Sequence, residues 1–195
     1  MPEHTCWTEE VNRIYTLRGQ VDKLLDKVDA IVIDTPGSHS ELGQQAMILA
    51  DSLVTPLNDS LVDLDVLALV DGDNLRIKGP SHFAQTVWEI RQQRMMQRKP
   101  PVNWVVVRNR LLYSKSKNSQ NMSILLNALS RRIHFIVAGG ISERVVFREL
   151  FLKGLTMLDF HESNVHATHT ISSNIARQEL SALLKNIWGE DLLSA

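Results

Sequence analysis

The residues best suited to chemistry are Asp34, Thr35, Pro36 and Gly37, at the end of the predicted strand Ala30 to Asp34. A carboxylate at the carboxyl end of a parallel strand lies where open α/β sheets bind ligands, and it can hold Mg²⁺ or its water. Gly37 lets the backbone turn sharply and present N–H groups to a terminal phosphate. The alternative is an Asp that only caps the turn after its strand. The full DTPG sequence favours a nucleotide site.

A second candidate nucleotide contact is Asn109, at the end of the valine-rich strand Asn103 to Asn109. Its side-chain amide can both donate to and accept from a purine edge, although a strand-terminal Asn is more often a turn residue. The guanine-reading sequence N-K-x-D is not present, because residues 109–112 lack both the Lys and the Asp. DTPG and Asn109, in this order, therefore predict a nucleotide site in which guanine is disfavoured.

Other candidate sites are weaker. A phosphate cradle needs a Gly-rich turn with G-K-[ST] opening a helix after the first strand. The sequence contains no such segment, since Gly139-Gly140 has no following Lys and residues 152–155 have the Lys before the Gly. His161, His166 and His169 have some metal-like spacing, but no Cys accompanies them in their polar segment. We therefore predict neither a P-loop nor a metal site there.

The basic residues are concentrated in one block. Residues 91–142 hold seven Arg and three Lys but no Asp or Glu, whereas the whole chain has 21 basic and 22 acidic residues. Such a block is typical of a surface that binds a polyanion such as the DNA backbone. A solvated face that balances acidic neighbours is the alternative.

The totals are those of an ordinary globular protein. Hydrophobic residues at 44% and charged residues at 22% exclude a disordered or fibrous chain. Cys6 is the single cysteine, which is consistent with a reducing cytosol. No apolar run approaches the roughly 18 residues that span a bilayer, and the acidic N-terminus is no signal peptide. We predict a cytoplasmic protein of one domain, residues 1–195, with residues 1–8 disordered.

Helices and strands alternate along the chain. Amphipathic spacing predicts a helix from about Glu9 to Lys27, before the DTPG strand. The later predicted elements are helix Glu41 to Ala50, a strand at Leu53 and Val54 stopped by Pro56, helix Leu61 to Val70, a helix capped by Ser81 and stopped by Pro100, strand Asn103 to Asn109, helix Met122 to Arg131, strand Ile133 to Ala138, and helices Ser142 to Lys153 and Ser173 to Trp188. This alternation predicts an α/β fold with a mostly parallel sheet and helices on both faces.

Several segments together resemble the MipZ-type division-plane positioning ATPases, a branch of the MinD/ParA family. They are IVIDTPG, ADSLVTPLNDSLVDLDVL, TVWEIRQQR, WVVVRNRL, ILLNALSRR, RVVFRELFLKGLTMLD and ARQEL, and they extend from about Val28 to Leu184. The combination of VTPLNDS, RNR and FRELF is specific rather than generic.

The resemblance implies a P-loop ATPase of deviant Walker A type that dimerises around two ATP and Mg²⁺. It also implies nonspecific DNA binding, interaction with the partitioning protein ParB, inhibition of FtsZ assembly, and a place on the bacterial nucleoid. By the same resemblance, Asp34 is the catalytic Walker B acid near Mg²⁺, which it contacts through water. Thr35, Pro36 and Gly37 form the switch that senses the γ-phosphate, and Asn109 contacts adenine. The DNA contacts would lie among Arg91, Arg94, Arg98, Lys99, Arg131 and Arg132.

The sequence departs from the family pattern before the DTPG strand. There the family has its Walker A loop with the signature lysine and its first strand, whereas this chain has MPEHTCWTEEVNRIY. We therefore expect an N-terminally incomplete ATPase domain that cannot hydrolyse ATP alone, because the cradle stabilises the charge of phosphoryl transfer. The Asp34 strand would then expose an unpaired edge. The alternative is a non-catalytic DNA- or protein-binding module that docks on a full-length relative.

Overall fold

The computed structural model describes residues 17–37, 40–112, 116–157 and 171–189. Contacts between Cα atoms divide the chain into two compact units. The first unit comprises residues 1–51 and 85–102, and the second comprises residues 52–84 and 103–195. A single domain over residues 1–195, and disorder at residues 1–8, stay predictions.

Helices and strands alternate from residue 82 to residue 151, whereas elsewhere two helices or two strands follow each other. In chain order they are α1 (described over residues 17–24), α2 (Glu41–Leu49), β1 (Ser52–Asn58), a 3₁₀ helix (Leu61–Val66), β2 (Ala68–Val70), β3 (Ile77–Pro80), α3 (His82–Met96), β4 (Asn103–Asn109), α4 (Lys117–Ile133), β5 (Ile136–Val137), α5 (Val145–Phe151) and α6 (Ile171–Trp188). Residues 9–16 of the first predicted helix lie outside the described residues. None of the helices in the described ranges is long and apolar enough to cross a membrane.

A parallel sheet with strand order β1-β4-β5 forms the centre of the second unit. Strands β2 and β3 form a separate antiparallel pair. Helix α6 packs on β1 and β4, and α4 packs on β5. The predicted α/β class, with a mostly parallel sheet flanked by helices, is confirmed.

Strand β4 is the middle strand and is buried over most of its length. Val105 and Val107 point to one face, because side chains two residues apart share a face of a strand. They form a buried cluster with Leu183 of α6, and Ile187 packs against it. A run of apolar residues without polar alternation is what a strand covered on both faces requires.

Trp104 fills the space on the other face of β4. Its ring lies 6.0 Å from the ring centroid of Phe83 and 5.3 Å from that of Phe135. The buried indole Nε1–H donates to Thr55 Oγ1 of β1 at 3.0 Å. The indole N–H is therefore satisfied inside the core, as burial of a tryptophan demands.

Strand β1 continues through Pro56, where the sequence analysis placed its end. A proline has no N–H to donate, so strands tolerate it only where that position needs no ladder partner. Among the described residues β1 pairs with β4 alone, and Pro56 lies opposite Val107 in the register. The strand therefore ends at Asn58, level with Asn109.

Residues 61–70 form the 3₁₀ helix and β2 instead of one α-helix. Ser60 Oγ accepts from Val62 N at 3.2 Å and starts the 3₁₀ turns. The chain then extends into β2, which pairs with β3 across a hairpin. Short apolar runs do not distinguish helix from strand, because periodicity needs a longer window. The predicted cap of α3 is confirmed, since Ser81 Oγ accepts from Ala84 N at 3.0 Å.

The predicted strand Ala30 to Asp34 is wrong. Residues 28–36 belong to neither helix nor strand, and they pair with no strand among the described residues. A strand exists only when a neighbour supplies its hydrogen bonds. Val32 is 83% exposed, so its apolar side chain is not covered. The DTPG residues therefore follow an irregular segment.

Arg94 has a structural role in the first unit, contrary to its predicted contact with DNA. Its Nη1 donates to Ile48 O at 3.0 Å and to Ala50 O at 2.7 Å, and its Nε donates to Pro100 O at 2.8 Å. Carbonyls in the last turn of a helix lack intrahelical partners, so Arg94 satisfies the end of α2. The side chain is 5% exposed and has no guanidinium face to offer a phosphate.

Candidate nucleotide site

Asn109 lies at the carboxyl edge of the parallel sheet, beside Asn58 in the register of β1 and β4. Open α/β sheets bind ligands at this edge. Asn109 Oδ1 accepts from Arg110 N at 2.9 Å, and Arg110 has a left-handed backbone with φ of 54°. A backbone N–H requires an acceptor, so the side-chain oxygen faces Arg110. Among the described residues the side-chain N–H groups of Asn109 have no acceptor, and an amide of this kind can donate to a purine ring nitrogen.

Arg108 fixes the end of β4 from inside the second unit. It forms an ion pair with Asp59, in which both side chains are largely buried. Its Nη1 donates to Ser123 Oγ at 2.6 Å and its Nη2 to Ser119 Oγ at 2.7 Å. These bonds join β4, the turn after β1 and the first turns of α4. Arg108 therefore positions its neighbour Asn109, although it belongs to the basic block.

Gly140 lets the loop after β5 approach the end of β4. Ile141 N donates to Arg108 O at 2.8 Å, and Leu111 N donates to Ile141 O at 3.0 Å. A Cβ on Gly140 would lie 2.1 Å from Leu111 Cδ1 and 3.2 Å from Arg108 O. A larger residue would require the Leu111 side chain to move and would crowd the Arg108 carbonyl. The role of Gly140 is packing at the sheet edge.

Glu179 of α6 fastens the same loop. Its carboxylate accepts from Ser142 N at 3.1 Å, from Ser142 Oγ at 2.8 Å, and from both terminal nitrogens of Arg144, with Nη2 at 3.0 Å. Burial opposes ionisation of Glu179, but the hydrogen bonds from Arg144 and Ser142 outweigh it and hold its pKa below the ordinary value. The sequence analysis quoted this residue within ARQEL without assigning it a role.

The residues predicted to lie near Mg²⁺ and the γ-phosphate belong to the first unit. Asp34, Thr35, Pro36 and Gly37 are all exposed, on the irregular segment that precedes α2. A Cβ on Gly37 would meet no atom within 4 Å. Asn109 belongs to the second unit.

The candidate nucleotide-binding residues of this chain do not by themselves fit Mg·ATP. The sequence offers no G-K-[ST] segment for the phosphates, and Asp34 lies on an exposed segment without regular structure. Among the described residues, no group of His, Cys, Asp and Glu is arranged to hold a metal ion. His161, His166 and His169 lie outside the described residues.

The candidate DNA contacts differ in exposure. Arg98 and Lys99, after α3, are exposed, and so are Arg131 and Arg132 in the last turn of α4. Arg91 is half-buried and donates through Nη2 to Val102 O at 3.1 Å. Four of the six predicted residues therefore present their charge to solvent, while Arg94 does not.

We expect Glu179 to make folding stability depend on pH. Because its pKa is lower in the folded than in the unfolded protein, its contribution is present above the unfolded pKa and is lost as the pH falls through the folded pKa. Glu179→Gln should lower the free energy of unfolding at pH 7 by about 2 kcal/mol, since buried Arg144 loses an ionised partner. It should also make the free energy of unfolding fall less steeply as the pH is lowered. Urea unfolding between neutral and acid pH measures both.

The exposed Glu149 of α5 provides the matched control for that experiment. Glu149→Gln should leave the unfolding free energy at pH 7 almost unchanged. Equal effects of the two substitutions would contradict the assigned role of Glu179.

Comparison with known proteins agrees with the resemblance read from the sequence. The family model described as ATPase MipZ matches residues 3–188, which include the DTPG segment, Asn109, Arg108 and Glu179. No curated protein matches the chain. A match over nearly the whole chain shows the family. The chain therefore belongs to the MipZ family of division-related ATPases.

Proposed function

We propose that this chain is a division-site regulator of the MipZ type whose 195 residues bind ATP weakly and do not hydrolyse it alone. Family membership supports use of a nucleotide and Mg²⁺ in general. The observation that carries the proposal is a contrast between Asn109 of the second unit and Asp34 of the first. Asn109 lies on a paired strand, whereas Asp34 lies on a segment that pairs with no strand in the described part of the chain, and the sequence has no G-K-[ST].

The base side of the proposed site is Asn109. Its amide N–H bonds would contact adenine, and Arg108 would keep the end of β4 in place through Asp59 and the serines of α4. The pairing of both strands and the burial of Arg108 support this role, because a binding group is effective when its support is rigid.

The metal side of the proposed site is Asp34, which would hold Mg²⁺ through water, followed by Thr35, Pro36 and Gly37 as the γ-phosphate switch. Mg²⁺ supplies neutralisation of the phosphate charge when it is bound. The exposure of these residues supports their access to a ligand. Without a lysine and a backbone cradle, however, the phosphates would lack most of their electrostatic stabilisation.

We further propose that the chain acts through other macromolecules of the division apparatus. By family resemblance these are a ParB-like partitioning protein, FtsZ, DNA and a second copy of the chain, on the nucleoid of a bacterial cytoplasm. A non-catalytic module that binds DNA or docks on a full-length relative is the second candidate. The exposed Arg98, Lys99, Arg131 and Arg132, in a block without acidic residues, favour DNA binding under either candidate.

We expect the purified chain to show no ATP turnover above the protein-free rate. Calorimetry with Mg·ATP should give a Kd in the millimolar range, about −4 kcal/mol in binding free energy. Asn109→Ala and Asp34→Ala should each weaken this binding further, because each removes one side of the site. Measurable turnover, or tight binding that Asp34→Ala leaves unchanged, would contradict the proposal.

We expect DNA binding without ATP that weakens steeply with salt. Fluorescence anisotropy with a labelled duplex gives the slope of log K against log salt, and Arg131→Glu combined with Arg132→Glu should reduce its magnitude by about 2. Arg148→Glu combined with Lys153→Glu is the matched control, since both residues are exposed and lie outside the basic block. An anisotropy signal that does not depend on salt, or an equal loss of DNA affinity in the two double variants, would contradict DNA binding by this block.

A further inference from the structure

Helix α3 exposes large apolar side chains along one face. Trp88 is 62% exposed, Met95 61% and Met96 82%. Spacings of seven and eight residues place both methionines on the side of Trp88, roughly 10–12 Å along the helix axis. Val87 and Ile90, on the opposite side, are buried. The helix thus has one packed side and a second apolar side, here named the Trp88 face and defined as Trp88, Met95 and Met96.

Positive charge borders the Trp88 face at the end of the helix. Arg98 N donates to Met95 O at 3.0 Å, and the φ of Arg98 is 57°, so the chain turns directly after the methionines. Arg98 and Lys99 are exposed and form no ion pair among the described residues. The sequence has no acidic residue between Glu89 and Glu143. The dipole of α3 favours cations at this end, but it does not account for an exposed Trp and two exposed Met.

We propose that the Trp88 face is a docking surface for a helical segment of a partner protein that carries apolar side chains flanked by Asp or Glu. Trp, Met and Arg are the residues enriched in the cores of protein interfaces, and Met adapts its shape to a partner. Acidic flanks on the partner would complement Arg98 and Lys99. This surface goes beyond the proposed nucleotide and DNA binding, and it requires neither.

Two other ligands explain the face less well. Phosphates of duplex DNA are bound by charge, which gives no role to Trp88, Met95 and Met96. An anionic membrane is the second of these ligands. Helices that lie on membranes carry Lys and Arg along their whole polar side, whereas the opposite side of α3 is buried in the protein.

The test uses two synthetic 16-residue helical peptides with the same stripe of Leu, one with Glu and the other with Lys at the remaining positions. Anisotropy of the labelled peptides measures their binding to the full chain. The Glu peptide should bind at least about tenfold more tightly than the Lys peptide, and Trp88→Ala or Met96→Gln should each weaken it by about tenfold, as for interface hot spots. Ile124→Gln, a substitution at a 66% exposed position of α4, should have no effect.

A charge-reversed variant keeps the proposal testable if an apolar substitution disturbs folding. Arg98→Glu combined with Lys99→Glu should weaken the Glu peptide and strengthen the Lys peptide. The Arg131→Glu, Arg132→Glu variant should retain peptide binding, which separates this surface from the DNA contacts proposed on α4. Circular dichroism of each variant checks its fold.

Three results would overturn the proposal. They are failure of the Glu peptide to bind, equal affinity for the two peptides, and full binding by a folded Trp88→Ala variant. Vesicles of phosphatidylglycerol and phosphatidylcholine form the remaining arm. If they bind the chain through Trp88 while the Glu peptide does not, the face is a membrane contact and the proposed partner is wrong.

Discussion

Strand β4 pairs with β1 along seven residues and with β5 along two, and these parallel backbone hydrogen bonds position the base side of the candidate site. Side chains strengthen the same strand. Trp104 joins it to Thr55 of β1 inside the core, and Arg108 joins its end to Asp59 and α4. Asn109 therefore ends a strand whose neighbours and side chains all restrain it. A ligand that bound there would meet a group already in place, which lowers the entropic cost of recognition.

A strand needs a hydrogen-bonded neighbour, and this requirement also explains why the segment that carries Asp34 is irregular. The segment from Ala30 to Asp34 has the composition of a strand, yet it has no strand neighbour in the described part of the chain. Val32 is exposed, and the backbone groups of the segment join no strand ladder among the described residues. Within the described ranges Asp34 consequently lacks the strand pairing that supports Asn109. The weak nucleotide binding proposed above follows from this difference together with the lack of a G-K-[ST] segment.

Sequence reasoning found what local patterns determine and missed what distant contacts determine. The strand Asn103–Asn109 was predicted to the residue, because an apolar run between two Asn has no competing periodicity. The strand Ala30 to Asp34 failed because pairing is not local, and the stop at Pro56 failed because tolerance of proline depends on the neighbouring strand. Arg94 reads as a surface cation from its helical spacing, and only the fold brings it to the carbonyls of α2. Glu179 was missed because its partners are more than 30 residues away in sequence.

Hydrogen exchange of backbone amides, followed by mass spectrometry on the intact chain, tests this account most directly. Exchange protection reports the free energy of local opening, which depends on paired backbone groups. We predict strong protection for residues 104–107 and little for residues 31–35 of the same protein. Protection of residues 31–35 equal to that of residues 104–107, in the absence of any partner, would contradict the account, because the Asp34 segment would then belong to a formed sheet.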